Sequence, residues 1–175
     1  IASPIQYSAF QVAASLTAYR PSGEGQIVNA QPYSLDSFGY RPLLSLELRW
    51  MPTKFESSHL DLGGYASLGY AFHNVKAQTL TGKDIVDTQL NTILTELGLA
   101  ARASLSEKNG VSLVPTLGLG RATVVNSSPS AFANYTERVS YARLGVAAEK
   151  SMGQSWSMYV GYGYQTALAK ETSAY

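Results

Sequence analysis

Two histidines, His59 and His73, are the only imidazoles in the chain, and no cysteine accompanies them. A hydrolytic site would have to be built around one of the two. His59 stands near Asp61, Ser57 and Ser58, the residue types of a nucleophile, base and orienting acid. These residues crowd into or beside a short turn that offers no oxyanion donors, so the set reads as polar turn chemistry. Without cysteine there is no thiolate nucleophile, no disulfide and no thiolate metal site. The acidic residues are scattered and form no Asp-rich calcium loop. Gly118-Leu119-Gly120 and Gly161-Tyr162-Gly163 lack the G-x-G-x-x-G spacing that opens a phosphate-binding helix. The expectation is therefore a protein with no catalytic site, no cofactor and no metal.

The remaining charge-bearing residues sit in a different pattern. Glu47, Arg49, Glu96, Arg102, Arg143 and Glu149 each fall on the polar side of a segment in which polar and apolar residues alternate. Period-two alternation is the mark of a strand with two unlike faces. Phe10 to Tyr19 puts Phe10, Val12, Ala14, Leu16 and Ala18 opposite Gln11, Ser15 and Thr17. Pro42 to Trp50 puts Leu44, Leu46, Leu48 and Trp50 opposite Ser45, Glu47 and Arg49. Leu60 to Phe72, Ile93 to Leu105, Val111 to Val125, Tyr135 to Lys150 and Ser155 to Gln165 repeat the alternation. Pro115 is a blemish in the fifth segment, because proline cannot donate to a ladder. Gly98 and the clean alternation favour strand over amphipathic helix in the fourth. After Gln165 the tail to Tyr175 reads as loop.

The connections alternate too. The first, third and fifth (Pro21 to Gln31, Asn74 to Asp87, Asn126 to Asn134) are long and polar. The second, fourth and sixth (Pro52 to Ser58, Ser106 to Gly110, Ser151 to Gln154) are tight, the fourth with Asn109-Gly110 as its turn. Seven strands with long connections at one end and short turns at the other describe an antiparallel up-and-down barrel.

Composition sets the expectation for which face of that barrel is outside. Only 14% of the residues are charged, against about 25% in ordinary soluble domains, while 45% are hydrophobic. The polar faces are built from Gly, Ala, Ser, Thr, Gln and Tyr with one or two ionisable groups each, small enough for a narrow lumen. An apolar face turned to lipid and a polar face turned inward accounts for the missing surface charge. Thirteen Lys and Arg against twelve Asp and Glu leave a net charge of +1, too weak a field to imply nucleic acid. With 175 residues the chain makes one domain, 1–175. No stretch reaches eighteen apolar residues, so no transmembrane helix is expected. The sequence opens at Ile1-Ala2-Ser3-Pro4 without a basic or apolar leader, so an exported form is expected to have shed its signal peptide.

Aromatic residues give an independent check, since membrane barrels carry a girdle at each interface. Phe10, Trp50 and Trp156 fall at the short-turn end of the apolar face. Phe38 and Tyr40, Tyr70 and Phe72, and Tyr162 and Tyr164 are expected at the long-loop end. From Trp156 to Tyr162 or Tyr164 is roughly 16 to 20 Å along the membrane normal for a strand tilted about 40°.

In these features the chain resembles the small eight-stranded outer-membrane barrels of Gram-negative bacteria, the group that includes the OmpA transmembrane domain, OmpX and the opacity proteins. The resemblance lies in pattern along nearly the whole chain rather than in a motif. It implies an all-β transmembrane barrel of eight strands, seven of them readable, with the last either beyond the sequence or uncounted. It implies residence in the outer membrane, contact with lipid and lipopolysaccharide, and a structural or interactive role. Specificity would lie in the loops around Gly23-Glu24-Gly25, Thr81-Gly82-Lys83-Asp84 and Ser127-Ser128-Pro129-Ser130, which would meet a protein partner or a larger membrane assembly. The lipopolysaccharide-deacylating barrel enzyme has a His-x-Ser pair; here Asp61 and Val75 stand two residues beyond His59 and His73, so the match fails. Charges inside a narrow lumen demand partners, and the six residues above, with Asp61 nearer the rim, are expected to form a salt-bridged plug. Two other readings remain: an OmpW-like pore, porin-like in passing ions or small solutes between those charges, and a soluble lipocalin-like carrier with its apolar face turned inward.

Overall fold

Alternating leucine, β-branched and aromatic residues suit a pleated surface with unlike faces, and the chain folds accordingly into strands. The computed structural model describes residues 9–20, 24–25, 33–34, 40–55, 59–78, 84–106, 108–127, 135–153 and 155–174. In chain order the strands are β1 (Phe10–Tyr19), β2 (Glu24–Gly25), β3 (Tyr33–Ser34), β4 (Arg41–Phe55), β5 (Leu60–Gln78), β6 (Asp84–Ser106), β7 (Val111–Ser127), β8 (Tyr135–Ser151) and β9 (Ser157–Ala174). β2 and β3 pair with each other within the first long connection. The other seven form one antiparallel up-and-down sheet in the order β1-β4-β5-β6-β7-β8-β9, curled into a half-barrel. β1 and β9 are its two edges.

The faces separate by parity as the alternation dictates. Leu44, Leu46, Leu48, Leu97, Leu99 and Leu117 lie exposed on the convex side, while Arg49, Tyr65, Glu96, Arg102 and Glu149 are buried on the concave side. Ladder rows carry this across the sheet: Ala14, Leu46, Leu68 and Thr95 stand side by side, as do Ala13, Glu47, Ser67 and Glu96. The concave side also holds apolar residues. Leu43, Ala71, Leu94, Ala122 and Tyr141 make one buried cluster, with Tyr19 and Val139 packed against it, and Met51, Tyr65, Ala100 and Val114 make a second.

Several details differ from the reading by pattern. The tail expected to be loop after Gln165 is strand: β9 runs on to Ala174, paired with Tyr135–Ala142 of β8. The ladder slips where Ser140 pairs with Ala169 but Tyr141 with Ala167, leaving Leu168 as the extra residue of a bulge. One inserted residue exchanges the two faces of everything beyond it, and this hid the strand from an alternation test. Tyr162 and Tyr164 consequently lie in the first half of β9, not at its far end. The third connection is also shorter than expected, because β5 extends to Gln78 and β6 begins at Asp84. Pro115 sits inside the central strand β7. On the β6 side the paired residues pass from Ala100–Thr116 to Ala103–Leu113, a gap opposite the proline that has no N–H to give. Gly110 adopts φ 61°, the left-handed geometry that the Asn109-Gly110 turn requires.

Candidate functional site

The concave side gathers its charge around Glu149 of β8. This carboxylate is 1% exposed and accepts a hydrogen bond from Ser157 Oγ of β9 at 2.7 Å, from Gln11 Nε2 of β1 at 3.2 Å and from Arg102 Nε of β6 at 3.3 Å. Arg49 Nη1 of β4 lies 3.8 Å away. Residues from four other strands therefore converge on one side chain. Arg102 continues the network to Asp61 at 3.5 Å and, by donating from Nη2, to the side-chain Oε1 of Gln11. Arg49 pairs along its own strand with Glu47 and lays its guanidinium 5.2 Å from the centre of the Tyr159 ring.

A second group forms around Glu96 of β6. The Tyr65 hydroxyl donates to Glu96 Oε1, and Arg143 Nη1 of β8 lies 3.0 Å from the same oxygen. Glycine makes this possible. Tyr65, Gly98, Gly118 and Arg143 share one ladder row, and a Cβ at Gly118 would collide with the Tyr65 hydroxyl. The ring lies in the space the two glycines leave, an arrangement known to compensate for glycine in sheets. Tyr141 uses Gly120 in the same way.

All six residues singled out from the sequence, Glu47, Arg49, Glu96, Arg102, Arg143 and Glu149, thus face the interior and engage in ion pairs, in two groups rather than one. Pattern reading did not single out Gln11, Tyr65, Ser157 or Tyr159 as members. Their parity was visible, but a neutral side chain at an inward position gives no sign of which charge it will meet. Burial makes the pairing obligatory. Water-excluded charges are tolerated when opposite charge and hydrogen bonds satisfy them, and the loss of one partner costs about 3–5 kcal/mol.

The arrangement holds these charges fixed in ion pairs and hydrogen bonds. Among the described residues no group of His, Cys, Asp and Glu has the geometry to hold a metal ion. His59 sits exposed in the turn before β5 with φ 50°, its carbonyl accepting from the Ser104 N–H at 3.0 Å. Ser57 and Ser58 lie outside the described residues. His73 pairs with Leu90 in the β5–β6 ladder.

On the convex side Phe10, Trp50, Trp156, Tyr40, Tyr70, Phe72, Tyr162 and Tyr164 are all exposed. Phe10 and Trp50 are direct cross-strand partners, and the Tyr70 hydroxyl donates to Asn91 Oδ1 at 2.8 Å. Phe38 lies outside the described residues. Of the three loop regions expected to carry specificity, only Glu24, Gly25, Asp84 and Ser127 fall within them. Compared with known proteins, the chain matches no family model, no curated protein and no solved structure.

Proposed function

We propose that this chain is an integral protein of a Gram-negative outer membrane, a β-barrel with a structural or surface-interaction role exercised at its long-connection end and an interior closed by side chains. One observation carries the reading: the sheet curls with its buried ion pairs inside and most of its leucines outside. In water each exposed leucine forgoes about 1.5–3 kcal/mol of burial. Monomeric soluble proteins rarely expose apolar patches beyond a few hundred Å², whereas this face runs across all seven strands of the sheet. A bilayer removes the cost, since lipid is as apolar as the side chains.

The same curl weighs against the carrier reading, which needs the apolar face inward. The layer of Leu43, Ala71, Leu94, Ala122 and Tyr141, added to the ion pairs, weighs against an open pore. In lipid the outer sides of the edge strands β1 and β9 need hydrogen-bond partners. Both strands run the same way, so one further strand antiparallel to both would complete an eight-stranded barrel.

Gel mobility of detergent-extracted protein, boiled and unboiled, tests the proposal, because closed membrane barrels hold together in SDS until heated. A heat-dependent shift is expected. Protein found in the soluble fraction with no shift would defeat the reading. In planar bilayers the folded chain is expected to be silent; steady conductance altered by Arg102→Ala would instead favour the pore.

A further inference from the structure

The outward face is apolar only over a limited height. On β8 it reads Lys150, Ala148, Val146, Leu144, Ala142, Ser140, Arg138. Lysine and arginine thus bracket the apolar run at a spacing of roughly 30 Å along the normal for a strand rising about 3.3 Å per residue and tilted about 40°. On β7 the outward series Leu113, Pro115, Leu117, Leu119 ends at Arg121.

These arginines are neighbours. Arg121 stands opposite Ser140 and Thr123 opposite Arg138, so the two guanidiniums occupy one diagonal of a four-residue square and two hydroxyls the other. Glu171 of β9 stands opposite Arg138, and its Oε2 lies 3.5 Å from Arg121 Nη2. All three ionic side chains are exposed. Arg138 has no ion pair among the described residues, so the square retains one unmatched positive charge. Two like charges on adjacent strands repel unless an anion lies between them. Arginine's planar fork suits an oxyanion such as phosphate.

A phosphate donor at the upper border of a lipid-facing surface would itself be attached to hydrocarbon. We infer that Arg121 and Arg138, with the hydroxyls of Thr123 and Ser140, bind the phosphate of a membrane lipid headgroup at the rim farther from the short turns. The inference rests on the membrane-barrel reading and assigns its lipid contact to particular residues. Lys108 and Lys150, at the opposite end, are the comparison cations.

The test uses the full chain folded in phosphatidylcholine bilayers and titrated with lipid A carrying both phosphates, read by displacement of a fluorescent lipid A. R121Q/R138Q is expected to weaken binding about tenfold or more, and K108Q/K150Q to change it by less than about twofold. Equal binding by R121Q/R138Q and the unaltered chain overturns the site, as does equal loss in the two double variants. Displacement by millimolar inorganic phosphate overturns the lipid assignment in favour of a free-anion site. If R121Q/R138Q loses its heat-dependent gel shift, R121K/R138K replaces it: the charge remains and the fork is lost, so intermediate weakening supports the site and unchanged binding overturns it. A shift retained without lipid A binding overturns the inference alone; the unaltered chain lacking a shift overturns the membrane reading beneath it.

Discussion

On β4, Leu44, Leu46 and Leu48 point outward and are 60, 56 and 45% exposed, while Leu43, Arg49 and Met51 on the same strand point inward and are 9, 4 and 2% exposed. Adjacent residues therefore live under different rules. On the membrane-barrel reading proposed above, the outward side meets only lipid, which asks for apolar character and little else. The inward side must fit: Glu149 answers to four partners, Tyr65 needs the space at Gly118, and Met51 turns in where the β4–β5 ladder slips between Trp50 and Thr53. Sequence tolerance should thus differ sharply between neighbours one residue apart.

Substitutions that cross this divide test the contrast, and the largest effect is expected inside. Glu149→Ala removes the buried carboxylate that Arg49 and Arg102 share, leaving Arg49 to Glu47 and Arg102 to Asp61, and should cost about 3–5 kcal/mol, read as a lower urea midpoint for the protein in lipid vesicles. A loss below about 1 kcal/mol would mean that water reaches the network and screens it. Next comes Leu46→Arg, which puts a cation in the middle of the outward apolar band. In vesicles it should cost about 2–4 kcal/mol, and a neutral result would break the lipid-facing assignment of that side.

Gly118→Ala is expected to cost about 1–3 kcal/mol by overpacking against Tyr65. Combining it with Tyr65→Phe removes the colliding oxygen, and a double-mutant cycle should show coupling of at least about 0.5 kcal/mol. The smallest effect belongs to the outward control. Leu119→Val keeps the apolar character and should stay within about 0.5 kcal/mol in the same vesicles. If Leu119→Val matched Gly118→Ala, the outward face would be packed against something more specific than lipid.

Local alternation made much of the fold legible. β1 is found at the bounds the pattern gives, and the inward parity of Glu47, Arg49, Glu96, Arg102, Arg143 and Glu149 follows from counting residues by two. Legibility failed where a single residue broke the period. The bulge at Leu168 exchanged the faces of the β9 tail, so that Lys170 meets the inward Glu137 at 3.1 Å while Glu171 points outward, and a strand looked like a loop. It failed again wherever partners are distant in sequence. Gln11 and Glu149 are separated by 138 positions, and only the curl of the sheet brings them together.

The sequence by itself determined which residues share a face and where the charge on that face lies, because side-chain direction in a strand depends only on a residue's immediate neighbours. The tertiary structure decided which face is concave, which carboxylate serves as the hub, that Tyr65 rests over Gly98 and Gly118, and that leucine, alanine and tyrosine pack on the concave side beside the ion pairs. Those outcomes depend on twist, register and bulges summed across seven strands, and no short stretch of sequence contains that sum.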